Sequence, residues 1–297
     1  MDLPVPGEEA RRSTSIPPRL VLVATPIGHL GDISGRALEA LRGADLVLCE
    51  DTRTTARLLQ EYGIGVRTEA LHDHNEGGRA PGLVARMLGG ARMALVSDAG
   101  TPLVSDPGYR LVRAAIEAGV EVSAVPGANA AVMALVLSGL PPQPFLFLGF
   151  PPPRSAARLA GFGRLRAAER AGLSATLVWH EAPHRLGECL ADLAAAFGDR
   201  PAAVARELTK RFEEVRRGGL VALAGYYGRE AARGEITVVV GPGGEEGGDA
   251  EDLDGQLRRA LAGASVRDAA AVVAAATGLP RKVVYARALE LGGGAGT

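Results

Sequence analysis

Apolar runs of four to six residues, bounded by glycine, proline or charged positions, alternate along this chain with stretches whose apolar residues recur every three or four positions. The first pattern reads as buried strand and the second as one face of a helix. Residues 20–24, 46–49, 66–71, 93–96 and 120–125 are the expected strands of the first part. The helices between them carry Ala37, Leu38 and Leu41 behind a Ser34 cap, Leu58, Leu59 and Tyr62 up to Gly63, and Tyr109 to Ile116 up to Gly119. Strand and helix alternate five times, which predicts a parallel, doubly wound α/β domain over residues 19–140. Pro141, Pro142 and Pro144 mark its end. A second α/β domain follows over 141–241, with strands expected at 145–150, 177–181, 203–208, 212–216 and 236–240. Its adjacent strand pair, set among helical crossovers, predicts a mixed sheet.

The two ends read differently. Residues 1–18 are polar and proline-bearing, and are expected to be a disordered tail. Residues 242–255 are glycine-rich and acidic, the composition of a linker. Beyond them, 256–297 form two helices around Gly278-Leu279-Pro280, a small module resembling a helix-turn-helix. From 255 onward six basic residues (Arg258, Arg259, Arg267, Arg281, Lys282, Arg287) stand against Asp268 and Glu290, net +4. These helices either dock on the protein itself or touch nucleic acid.

Composition narrows the class. A net charge of −1 excludes a wholesale cationic surface, so any nucleic-acid binding must use local patches. Cys49 and Cys189 lack CxxC or Cys/His metal spacing and read as core residues of a reducing compartment. No signal-peptide h-region and no run of about 18 apolar residues occurs, so the expected location is cytoplasmic, with no membrane partner.

The polar clusters carry the chemistry. Thr25–Gly28, Glu50–Arg53, His72–Glu76, Asp98–Gly108, Pro126–Asn129, His180–His184 and Arg206–Lys210 each fall at or just past the carboxyl end of an expected strand. In parallel α/β layers that edge is where ligands bind. Most conspicuous is the stretch from Ser97 to Gly108, twelve residues between strand and helix where about two to six are usual. Asp98 and Asp106 in it could also be plain turn-formers. There is no GxGxxG after the first strand, no GxxxxGK[ST] and no GxSxG. His72 and His74, with Asp73 and Glu76, either hold a metal or hydrogen-bond substrate and neighbours. Asp51 and Arg53 either pair as a structural clamp or hold a target nucleotide.

TPIGHLGDIS, CEDTRTTARLL, LHDHNE, LVSDAGTPLVSDPGYRLV, PGANA, HEAPHR and VARELTK, in that order, resemble the ribosomal RNA small subunit methyltransferase I family, of the tetrapyrrole-methylase superfamily. The resemblance covers about residues 19–241 and extends to the helical tail. The pattern is departed from at His29, Ala128-Asn129, Trp179-His180 and Arg154. What it implies is two α/β domains with S-adenosylmethionine (SAM) in the cleft between them, a homodimer, and 2′-O-methylation of a decoding-region cytidine in 16S rRNA of the small ribosomal subunit. It further implies SAM contacts at Pro26, Asp98, Thr101, Ala128, Asn129, Ala130, His180, Arg206, Glu235, Ile236 and Thr237. Deprotonation of a 2′-hydroxyl calls for a base or a nearby cation, for which His74, Glu76, Asp51 and Lys210 are the candidates, with no resident metal. Arg53, Arg154, Arg158, Arg185 and Lys210 are the expected phosphate contacts. A SAM methylase of the same fold acting on a small molecule such as a tetrapyrrole, and a non-enzymatic nucleic-acid binder led by the helical tail, are the competing readings.

Overall fold

Residues 18–243, 250–277 and 279–292 are described by the computed structural model. The expected disordered tail, save its last residue, and the middle of the expected acidic linker lie outside the described residues. The chain divides into two compact units between Ala130 and Ala131, ten residues before the proline-marked boundary expected from sequence. The apolar helix α5 (Ala130–Ser138) accordingly goes with the second unit.

In the first unit, β1 (Leu20–Val23), β2 (Leu46–Cys49), β3 (Thr68–Ala70), β4 (Met93–Val96) and β5 (Val122–Val125) form one parallel sheet in the order β3-β2-β4-β1-β5. β2 and β4 are buried at every position, which is why their sequences are unbroken apolar runs. One face packs Leu46, Leu48, Met93 and Leu95 against α3 (Asp73–Leu88) and α4 (Tyr109–Glu117). The other packs Val47, Cys49, Ala94 and Val96 against α1 (Gly35–Arg42) and α2 (Thr52–Glu61). The chain leaves β1 and β2 toward one face and β4 toward the other, so β4 lies at the topological switch point of a doubly wound sheet.

In the second unit, β6 (Phe145–Phe147), β7 (Thr176–Glu181), β10 (Ile236–Val240), β8 (Pro201–Arg206) and β9 (Glu214–Gly219) form a mixed sheet in that order. β6 and β7 are parallel, while β10 runs antiparallel to both β7 and β8. The carboxyl ends of β6, β7 and β8 and the amino end of β10 therefore share one edge. Helices α6 (Ser155–Arg170), α7 (Leu186–Phe197) and α8 (Leu220–Tyr227) cover one face, where Trp179, Phe162 and Phe197 meet ring to ring. Cys189 sits fully buried in this core, as Cys49 does in the first.

Three helices follow, α9 (Ala250–Leu261), α10 (Val266–Thr277) and α11 (Arg281–Gly292), around a core of Leu257, Ala270, Val273, Val284 and Ala288. The expected linker thus gives way to helix at Ala250. Leu253, Leu257 and Leu261 recur at four-residue spacing on the packed side of α9, and Asp254 is drawn into ion pairing with Arg287 at 2.6 Å.

Candidate active site

Five loops leave the carboxyl ends of the parallel strands, and hydrogen bonds tie those after β1, β2, β4 and β5 together. The loops after β1 and β4 exchange backbone hydrogen bonds between Thr25 and Gly100, at 2.8 and 3.0 Å. The Thr25 hydroxyl also donates to the Ser97 carbonyl. Gly100 has φ +82°, which a side chain resists, and a Cβ there would press on Ile27. Thr101 donates to the Ala128 carbonyl at 3.1 Å and accepts from the Asn129 amide at 3.4 Å, which fastens the loop after β5. At Gly127 a Cβ would come within 2.9 Å of the Ala24 Cβ, so the backbone of the β5 loop lies directly against Ala24 at the end of β1. Pro26, Asp98, Thr101, Ala128 and Asn129 are therefore gathered around β1, β4 and β5, with Ala130 opening α5.

Asp98 is exposed at the switch point, and its Oδ1 accepts the backbone N–H of Asp51 at 3.1 Å. Asp51 caps α2 by accepting from the Arg53 backbone N–H, and it grips the Arg53 guanidinium with both oxygens. The Arg53 hydrogen bonds pull the Asp51 carboxyl down to about 2. The two residues do pair, as the clamp reading expects, yet 87% of the Arg53 side chain remains exposed, with donors free for a phosphate. Arg53→Lys should keep the melting temperature and SAM affinity but lose most methyl transfer, because lysine cannot reproduce a two-pronged grip. A lower melting temperature with unchanged turnover per folded molecule would make the pair structural only.

Asp106 was singled out by its place in the long loop but not as a base. Its neighbours Leu103 and Ser105 have φ +70°, and Gly108 has φ +127°, so the loop is held in conformations that cost energy. Burial, followed by the carboxylates of Glu50, Asp98 and Asp73, pushes Asp106 up to about 7. Burial and Asp98 raise Glu50 as well.

The residues after β3 divide in role. His72 is the N-cap of α3, with its ring nitrogen 3.1 Å from the Asn75 amide; His74 is exposed, its ring 6.1 Å from that of His72. Glu76 is buried, and its Oε1 accepts the Leu111 backbone N–H at 2.8 Å in the first turn of α4. That position favours a carboxylate at a helix N-terminus and occupies it. No group of three His, Cys, Asp or Glu arranged to hold a metal occurs among the described residues.

In the second unit His180, Arg206 and Glu235 lie on the shared edge. His180 is half-buried, its Nδ1 3.0 Å from the Thr237 hydroxyl and its ring against Phe147 and Phe150; burial lowers its pKa. Arg206 pairs with Glu214 at 2.9 Å. Lys210 lies 2.9 Å from Glu207 and 3.2 Å from Glu235. Burial opposes its charge, but these two carboxylates outweigh burial and raise its pKa. A lysine held protonated in this way cannot serve as a base. Glu207 escaped the sequence reading; it also accepts the Glu235 backbone N–H at 3.0 Å, shaping the turn into β10, where Ile236 and Thr237 are buried.

Of the arginines expected on phosphate, only Arg154, at the N-cap of α6, is exposed with no side-chain partner among the described residues. Arg158 is fully buried, with its guanidinium 2.6 Å from Asp192 and further donors on the Pro152 and Pro153 carbonyls. It is an internal clamp between α6 and α7, out of reach of RNA. Arg185 donates at 2.8 Å to buried Glu181 and is mostly covered itself.

A profile for Tetrapyrrole (Corrin/Porphyrin) Methylases matches residues 19–224, and one for the RsmI C-terminal HTH domain matches 247–292. The chain is 47% identical over 287 residues to a ribosomal RNA small subunit methyltransferase I of Mesorhizobium japonicum, covering 96% of each. It is 44% identical to the protein of that name from Pseudomonas aeruginosa, covering 91% of this chain and 96% of the other. The chain belongs to this branch of the tetrapyrrole methylases. Solved tetrapyrrole-methylase structures share the fold at low identity. A diphthine synthase aligns with TM-score 0.57 at 19% identity over 75% of this chain and 89% of its own. A uroporphyrin-III-C-methyltransferase from Thermus thermophilus gives 0.51 at 23%, over 75% and 93%. These two structures each cover 75% of this chain, and the helical module from Ala250 onward falls within the stretch matched by the HTH profile, 247–292.

Proposed function

We propose that this methyltransferase moves the methyl group of SAM to the ribose 2′-oxygen of a cytidine in the decoding region of 16S rRNA. The observation that carries the reading is the clustering of Asp98, Thr101, Ala128 and the Asp51–Arg53 pair on loops at one sheet edge. The residues suit SAM: glycine turns at 100 and 127 expose backbone, and Asp98 supplies negative charge for a cation. When bound, SAM supplies an electrophilic methyl group on a positively charged sulfur. Thr101 and the 126–129 loop position it, Asp98 offsets its charge, and Arg53 holds a phosphate of the RNA. Such alignment is the main source of rate in an in-line displacement, worth up to roughly 7–11 kcal/mol.

The weakly acidic 2′-hydroxyl needs a proton acceptor. Glu76 is occupied by α4, Lys210 stays protonated, and Asp51 is a poor base because Arg53 holds its carboxyl near 2. His74 remains, exposed beside the edge. Asp106, pushed up to about 7, is matched to the task near neutral pH. With Asp106 as base, kcat/KM should rise as pH climbs through about 7, and Asp106→Asn should remove that rise and cost about 10²–10⁴-fold. Stability runs the opposite way. A raised carboxyl favours the folded state when protonated, so its contribution is complete below 3.8 and lost as pH rises through about 7. Asp106→Asn should therefore gain melting temperature over the wild type at pH 8 and not at pH 3.

Mass mapping of ribose methylation in small ribosomal subunits incubated with the protein and labelled SAM tests the reaction. A single 2′-O-methylcytidine in the decoding region is the expected product. Methylation confined to a base, or only of a tetrapyrrole, would refute the reading.

A further inference from the structure

On the α2 side of Asp98 the first unit contains a cleft of about 370 Å³, large enough for a nucleobase. One wall is the exposed side of α2, with Arg57, Leu58 and Glu61; the other is the turn after β1, with Pro26, Gly28 and Leu30. The Leu30 wall is fixed, because the Tyr62 hydroxyl donates to its carbonyl at 2.6 Å. Arg57 and Glu61 are opposite in charge and one helical turn apart, yet neither makes an ion pair or side-chain hydrogen bond among the described residues. Arg53, one turn earlier on the same helix, is by contrast committed to Asp51. Two uncommitted charges facing a cleft whose floor includes Ser97, Asp98 and Ala99 are a donor set and an acceptor set at fixed spacing.

We infer that this cleft receives the unstacked base of the target nucleotide and that Glu61 and Arg57 read it as cytosine. The inference rests on the ribose-methylation reading above. Cytosine presents an amino donor at N4 and acceptors at N3 and O2. A carboxylate accepts from N4, and a guanidinium donates to N3 and O2. Uracil reverses the first two positions: its O4 faces the carboxylate, and its N3–H faces the guanidinium. Each contact would then be repulsive or unmade. The apolar surfaces of Pro26, Leu30 and Leu58 flank the base plane, and only an extruded or single-stranded base can offer that edge. A base seated here brings its own ribose toward Asp98, at the loop edge where the methyl donor is proposed to lie.

The test compares small subunits carrying the natural target cytidine with subunits carrying uridine at that position. Ribose methylation is followed with labelled SAM, and SAM affinity is measured separately by calorimetry. The wild type should favour cytidine by about tenfold to a hundredfold in kcat/KM, the worth of one well-made base contact. Glu61→Gln can turn its amide N–H toward O4, and should erase most of that preference while keeping SAM affinity and melting temperature. Arg57→Gln should weaken use of the cytidine substrate about tenfold, again with SAM affinity unchanged. Ribose methylation with an unaltered cytidine-to-uridine ratio in Glu61→Gln would overturn this inference alone. Loss of SAM affinity in either variant would overturn it too, since the cleft would then belong to the donor. Absence of ribose methylation by the wild type would overturn the functional reading and this inference together.

Discussion

Asp98→Ala is expected to weaken SAM binding by about tenfold to a hundredfold, the cost of removing a charged partner worth roughly 1.5–3 kcal/mol. The side chain is exposed, so the fold should survive its loss. Its one described hydrogen bond, from the Asp51 amide, anchors the start of α2 and leaves the second oxygen unengaged. Asp98→Asn separates the two roles. It keeps an acceptor for Asp51 but removes the negative charge, so an intermediate loss of affinity is expected. Calorimetry with SAM on both variants decides the matter; unchanged affinity in a folded Asp98→Ala protein would remove Asp98 from the donor site.

The second large effect concerns stability. Arg158→Ala should destabilise the second unit by about 3–5 kcal/mol, the usual consequence of removing one partner of a buried pair. Asp192 would lose its counter-charge, and the Pro152 and Pro153 carbonyls a donor. Arg158→Met, which fills much of the same volume without leaving a cavity, should be less damaging if Asp192 is changed to leucine at the same time. Denaturant titration measures the loss. A variant as stable as the wild type but deficient in RNA binding would return Arg158 to the phosphate contacts.

The contrast between Arg158 and Arg154 shows what a sequence can and cannot yield. Both stand at the arginine-rich start of α6, and nothing local tells them apart. The difference is Asp192, 34 residues on and brought near by the packing of α6 on α7. Strand positions were legible wherever burial is two-sided: 46–49, 93–96 and 236–240 match the observed β2, β4 and β10 residue for residue. The hairpin of β8 and β9 was misplaced by two or more residues at each end. Leu208 and Phe212 look like strand residues but lie in the connection, where Glu207 and Thr209 take positive φ and Phe212 is 64% exposed. That turn is held by the Glu207 carboxyl on the Glu235 amide, a contact between distant positions that periodicity cannot register. At the site, the loops could be located because strand ends could be, and family resemblance named the residues in them. The titration of Asp106 could not be read off, since it comes first from burial and then from the approach of Glu50, Asp98 and Asp73, all of which depend on the folded chain.

The two cysteines offer a way to watch the units separately. Cys49 and Cys189 are each fully buried, one in each unit, and burial raises the pKa of both thiols. Neither can meet a solvent-borne alkylating reagent without local opening, and neither presents much thiolate. Each is thus a native clock: the rate at which it becomes modified reports how often its own sheet comes apart. With one cysteine changed to alanine or serine in turn, the cooperativity between the two halves becomes a measurable quantity, with no label added to the loops that do the chemistry.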